Sequence, residues 1–150
     1  MTKYNFGELD KWVRESEARM LAVVRSSIQD VCEVAQTPKA QGGRMPVDTG
    51  TLRNSFMSSL NGSTHLTGPV SFTVVLGGLN IGDFAEFGWG GLASDYALRQ
   101  NYGFIGADSL GRVYNQEGNL FLEGAMAQFP AIVAKNVALA KATVAANTGG

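Results

Sequence analysis

Between about Glu8 and Gln36 the apolar residues recur at three- and four-residue steps, through Trp12, Met20, Val23, Val24, Ile28, Val31 and Ala35. That is the period of an amphipathic helix. Lys11, Arg14, Glu15, Arg19 and Asp30 fill much of the remaining surface. A helix of this span is roughly 40 Å long, long for a domain of 150 residues. Thr37-Pro38 ends it, because proline disfavours a helical residue before it. Helical spacing returns from about Leu120 to Ala146 through Leu122, Met126, Phe129, Val133, Val137 and Ala140. Pro130 inside that run is expected to kink or divide it, and residues 146–150 are expected to fray.

Between the two helical segments the pattern is shorter in range. Residues 37–47 read as a polar loop with Gly42-Gly43 and two prolines. Asp48 is expected at a helix N-cap, its carboxylate accepting from the amides of Gly50 or Thr51, with a short helix running to about Ser55. Phe56–Leu60 reads as a strand, with turns at Asn61-Gly62 and Gly68-Pro69. The β-branched, partly alternating run Val70–Leu76 predicts another strand, and Ile81 to Phe87 a further one. From Gly88 to Gly118 periodicity is weak, which predicts turns with short strands or a helical turn around Tyr96. Most of the 19 glycines fall between Gly42 and Gly124, where they punctuate turns. The expected fold is therefore α+β and a single domain over 1–150: a long N-terminal helix, a central antiparallel β region with long loops, and a C-terminal helix packed on the sheet. No internal repeat is present.

Composition narrows the function classes. Apolar content of 45% and charged content of 17% belong to a folded chain. The net charge is −1 and the 12 basic residues are scattered among 13 acidic ones, which leaves no basic stripe for a dedicated nucleic-acid binder. A near-neutral surface permits self-association. Cys32 is alone, so the chain has no internal disulfide framework. The polar start and the lack of a membrane-length apolar run argue against a signal peptide or spanning helix. A reducing cytoplasm is the expected place of synthesis.

Candidates for chemistry are few. His65, the one histidine, lies in the loop Asn61–His65, with Ser63 and Thr64 too close in sequence to form a triad with it. One His and one Cys far apart scarcely supply a zinc site, and no metal or cofactor is expected. Asp83 and Glu86 are a carboxylate pair without a third supporting group. Gly77-Gly78-Leu79-Asn80-Ile81-Gly82 lacks the helix and lysine of a phosphate-binding loop. Trp12 reads as a core or interface anchor. Trp89, held between Gly88 and Gly90, is either an exposed contact residue or buried over the sheet.

Asp48-Thr49-Gly50 raises an aspartic protease, in which Asp-Thr-Gly on a tight turn pairs with a second copy to share one proton. One copy here requires a symmetric dimer, and Val74-Val75-Leu76-Gly77-Gly78 resembles the apolar-then-glycine segment that supports such a turn. Against it, Arg44-Met45-Pro46-Val47 stands where that family has an apolar strand, and Thr51-Leu52-Arg53 where it favours a small residue.

The wider stretch Pro46-Val47-Asp48-Thr49-Gly50-Thr51-Leu52-Arg53-Asn54-Ser55 resembles the signature of the tailed-phage neck proteins, the head–tail joining or tail-completion family. In that family a long helix precedes the turn, and a β region and a tyrosine–alanine segment ending in an aromatic and glycine follow. Tyr96-Ala97-Leu98-Arg99-Gln100-Asn101-Tyr102-Gly103 matches that segment, with Asn101 where the family often has glutamate. Gly103–Gly106 through Leu110–Tyr114 resembles a loop of some members, and Asn119-Leu120-Phe121-Leu122 the approach to the closing helix.

The resemblance implies a structural virion protein rather than an enzyme: a homo-oligomeric ring, six- or twelve-fold, in the phage neck. It implies contact with head-side connector or adaptor proteins and with tail terminator or tail tube proteins, passage of genomic DNA through the lumen, and assembly in the host bacterial cytoplasm. Scattered charge suits such a channel, since each phosphate contact adds salt-dependent affinity. Pro46, Asp48, Thr49, Gly50, Leu52, Arg53 and Ser55 are the expected structural turn and interface, with Leu52 inward and Arg53 reaching a carboxylate or carbonyl of its own chain or a neighbour. Trp89, Tyr96, Arg99, Tyr102 and Gly103 are further interface candidates.

Overall fold

The first apolar stripe forms a single helix, α1 (Phe6–Gln36). This computed structural model describes residues 6–47, 50–62, 64–90, 94–107 and 110–148. Beyond α1 the chain makes a 3₁₀ turn at Lys39–Gln41, closed by Gly42 at φ 86°, and returns to it through a bridge between Pro38 and Met45. There follow α2 (Thr51–Asn54), β1 (Phe56–Leu60), β2 (Thr64–Thr67), α3 (Phe72–Gly78), β3 (Ala85–Trp89), α4 (Ser94–Tyr102), β4 (Gly103–Ala107), β5 (Val113–Glu117) and α5 (Phe121–Thr148).

Two antiparallel sheets result. One has the order β2-β1-β3, the other is the β4-β5 hairpin. β1 sends Phe56 and Leu60 to the face that α1 and α3 cover, so Phe56, Phe72, Leu76, Leu79 and Cys32 form one apolar cluster with Ile28 and Phe87 packed against it. A second cluster gathers Met45, Leu52, Ala97 and Phe121. Trp89 touches both, its ring 5.3 Å from Phe56 and 4.8 Å from Phe121 in edge-on geometry. The C-terminal helix thus meets the sheet at its first residue, Phe121, and then runs back along α1. Asn136 fixes the register of that helix pair: its buried amide donates to Ser27 Oγ at 3.2 Å and Asp30 Oδ2 at 3.1 Å.

Four expectations need correction. Val70–Leu76 is not a strand, because the chain turns into α3. Phe72, Val75, Leu76 and Leu79 are buried while Thr73, Val74 and Gly77 are exposed, which is the i, i+3, i+4, i+7 spacing of a helix face; that geometry outweighs the β-branched composition. The strand expected from Ile81 starts later, at Ala85, because Asp83 ties residues 80–84 into a turn. Its carboxylate accepts from the Asn80 amide at 2.9 Å and from Asn61 Nδ2 at 3.1 Å. The N-cap position of α2 belongs to Gly50, at φ 82°; the expected Asp48 cap, with Thr49, lies outside the described residues. Of the kink or division expected at Pro130, the division does not occur: α5 is helical on both sides of it.

Candidate functional site

The polar turn after α1 is organised by Gln36, which is only 2% exposed. Its side-chain amide donates to the carbonyls of Arg53 at 2.9 Å and Pro69 at 3.0 Å. Its side-chain oxygen accepts the Trp89 indole N–H at 2.8 Å, and its backbone carbonyl accepts Arg53 Nε at 3.0 Å. One side chain therefore joins α1, α2, the 68–70 turn and β3. Arg53 reaches a carbonyl of its own chain, where it satisfies one of the orphan acceptors of the α1 terminus.

The neighbouring candidates serve the same junction. Leu52 is buried, Pro46 is half-buried beside the Met45 bridge, and Ser55 Oγ donates to Leu52 O at 2.7 Å. Trp89 is half-buried between the two clusters, intermediate between the two fates weighed for it. Gln36 itself was missed from the sequence. Its signal is spacing: Ile28, Cys32 and Gln36 follow at four-residue steps on the buried face, and a polar residue at such a position needs partners.

A second polar corner joins α4 to α5. Asn101 is buried; its side-chain oxygen accepts the Leu122 amide at 3.1 Å and its Nδ2 donates to Glu123 Oε2 at 2.7 Å. The Asn119 and Leu120 amides in turn close the end of α4, on Gln100 O at 2.8 Å and Asn101 O at 3.0 Å. Asn101 thus caps the first turn of α5. Partial burial opposes the charge on Glu123, yet hydrogen bonds from the Tyr102 hydroxyl and the Asn101 amide outweigh it and hold the carboxyl below its ordinary value of 4.5. The same Glu123 hydrogen bond and charge push the Tyr102 phenol up.

A carboxyl whose folded-state pKa is depressed stabilises the fold fully above the unfolded value and loses that contribution as pH falls through the folded value. The wild-type advantage over Glu123→Gln is therefore expected to be constant at neutral pH and to shrink as pH falls below about 4.5, read as the difference in urea midpoints across a pH series. A difference that does not change with pH contradicts this role.

The remaining candidates of the 96–103 segment face outward. Tyr96, Arg99 and Tyr102 are exposed, and the Arg99 guanidinium lies 4.4 Å above the Phe104 ring. Gly103 opens β4 at φ 88°, and a Cβ there would come within 2.5 Å of Gln116 O, so the close hairpin base requires glycine.

His65, Ser59 and Glu86 come together, which the sequence did not suggest. Ser59 has His65 as its partner on one neighbouring strand and Glu86 on the other. All three border a shallow recess of about 230 Å³, and the buried Ser59 hydroxyl has no hydrogen-bond partner among the described residues. A nucleophilic triad needs the imidazole between hydroxyl and carboxylate; here the serine stands between them. Asp83 is not paired with Glu86, its carboxylate being held at the 80–84 turn, where the Asn80 amide and then Asn61 lower its pKa. Gly77 and Gly78 end α3, so neither a phosphate loop nor the strand that supports a protease turn is formed there. Among the described residues no group of three or more His, Cys, Asp or Glu is placed to hold a metal ion, and no helix is long and apolar enough to cross a membrane.

What the chain presents instead is apolar surface. Leu9, Trp12, Val13, Met20 and Val24 are exposed on α1, Trp12 by 62%. On the hairpin Ile105 is 82% and Val113 81% exposed. Compared with known proteins, the chain matches no family model, no curated protein and no solved structure.

Proposed function

We propose that the chain is a structural subunit of a homo-oligomeric ring in the neck of a tailed phage, joining the tail to the DNA-filled head. The observation that carries the assembly reading is exposed apolar surface: Leu9, Trp12, Val13, Met20 and Val24 on α1 and Ile105 and Val113 on the hairpin. A ring subunit meets two neighbours, and exposed aromatic and aliphatic residues are of the kind that anchor protein contacts.

The neck assignment rests on the ordered resemblance of the 46–55 turn, the 96–103 segment and the 119–122 approach to α5. In this reading the two polar junctions, at Gln36 and at Asn101, hold the shape of the subunit, and the exposed apolar surfaces face neighbouring copies, head-side connectors and tail proteins. No residue is assigned a chemical step. The scattered charges and a net charge of −1 suit a lumen through which DNA slides. Silencing the gene in its phage is the test. Filled heads and free, unjoined tails are the expected products, rescued by supplying the protein in trans. Normal joined particles would exclude the role.

A further inference from the structure

We propose that the three-stranded sheet carries a site for a first-row transition dication of the Zn²⁺ type, held by His65, Ser59 and Glu86. The inference stands apart from the neck reading and uses none of its premises. Along β1 successive side chains alternate between the two faces of the sheet. Phe56 and Leu60 pack into the cluster under α1 and α3, and Ser58 Oγ lies 2.8 Å from Ser71 Oγ on that side. Ser59 therefore projects from the opposite face, with its cross-strand partners His65 on β2 and Glu86 on β3. The Gly68 amide donates to Phe56 O, and the Asn61 amide donates to Phe84 O. That alternation makes Ser59–Glu86 a hydrogen-bonded pair and Ser59–His65 a non-hydrogen-bonded one, in which the side chains are closer. His65 and Glu86 thus start from backbone positions about 10 Å apart, with the Ser59 hydroxyl between them.

The hydroxyl is what points to a ligand. Ser59 is 2% exposed, whereas His65 and Glu86 on either side of it are exposed. Its Oγ is buried without a hydrogen-bond partner among the described residues, an unfavourable state that a bound group relieves. Among the described residues the imidazole and the Glu86 carboxylate also have no hydrogen-bond or ion-pair partner. Gly88 borders the same recess; an added Cβ there would meet nothing within 4 Å, so the glycine keeps that side open.

The donor set selects the class of ligand. Imidazole nitrogen with carboxylate oxygen suits Zn²⁺ and its first-row neighbours, whereas Ca²⁺ and Mg²⁺ take oxygen ligands. Glu86 disfavours an anion at the same place. Zn²⁺ binds imidazole at about 2.0–2.1 Å and carboxylate at about 2.0–2.2 Å. Each side chain then has to cover only about half of the distance between its strand and the other. Two charged or imidazole ligands fall short of the four of a closed structural site. The Ser59 hydroxyl and water complete the set, which makes the site open and exchangeable. Because its ligands sit on the outer strands β2 and β3, a bound ion clamps both across β1.

Titration of zinc chloride into the purified, untagged, chelator-washed chain is the test. His65 is the one histidine, so its imidazole proton signals are identified without assignment, and Cys32 is buried. One equivalent of Zn²⁺ is expected to bind by calorimetry, to shift those imidazole signals and to raise the melting temperature. His65→Ala and Glu86→Gln replace exposed side chains, and each is expected to weaken binding at least about tenfold. Ser59→Ala is expected to weaken it about tenfold. Without zinc that variant should melt no lower than wild type, since the hydroxyl it removes had no partner. A chain that binds no zinc, as when water alone satisfies Ser59, overturns the proposal. Zinc affinity that survives His65→Ala or Glu86→Gln places the ion elsewhere and overturns it too. Unchanged affinity in Ser59→Ala does the same, because the buried hydroxyl is the observation on which the site rests.

Discussion

Gln36→Leu is expected to destabilise the chain by about 3 kcal/mol, a large fraction of the stability of a small domain. Leucine has nearly the right volume, so the loss does not come from a cavity. It comes from the Trp89 indole N–H and the Arg53 and Pro69 carbonyls, all of which lose their partner at once in a part-buried junction. Each buried group left unpaired costs about 1–3 kcal/mol. Gln36→Glu is expected to be nearly as damaging, since it keeps the acceptor for Trp89 but sets a carboxylate against two carbonyl oxygens. The check is urea denaturation of wild type, Gln36→Leu, Trp89→Phe and the double variant. The Gln36 and Trp89 changes should be non-additive by about 1 kcal/mol, and additive values would show that the indole is not held by Gln36. Arg53→Ala belongs to the same junction and should lower stability first, with any effect on assembly following from that.

Phe121→Ala should cost about 3–5 kcal/mol. Phe121 is 2% exposed, starts α5, and packs edge-on against Trp89, so it carries the contact between the sheet and the C-terminal helix. Its removal opens a void between the two apolar clusters and frees the α4–α5 corner from β3. The expected signature is a lowered thermal midpoint with early loss of hydrogen-exchange protection in α4 and at the start of α5. Amides of α1 and β1 should remain protected for longer. Uniform loss of protection across the chain would show that the two clusters behave as one cooperative unit.

The long helices were legible because their apolar period is sustained over many turns. α1 runs Phe6–Gln36 and α5 Phe121–Thr148, close to the spans of about Glu8 to Gln36 and Leu120 to Ala146 expected from the apolar period. β1 was legible for a different reason, being framed by Ser55 and the Asn61-Gly62 turn. The run Val70–Leu76 was misread because its β-branched residues suggest a strand while the burial of Phe72, Val75, Leu76 and Leu79 makes it part of α3. Composition and period disagreed there, and tertiary packing followed period. The site was legible only in part. The sequence pointed to the 46–55 turn and to Arg53, but the residue that organises their junction, Gln36, lies at the end of α1, outside the motif. Cross-strand neighbours such as His65, Ser59 and Glu86 depend on register, which no local pattern in this chain specifies. The hairpin face of Ile105 and Val113 stands out only once the fold shows both side chains exposed.

The most direct test of the proposed assembly is imaging of the particles produced from the genome that carries this gene, with the protein identified by its own density. The expected result is a closed ring of copies between the head connector and the tail, of six- or twelve-fold symmetry, with DNA or an open lumen on its axis. Particles whose neck is complete without this protein would contradict it.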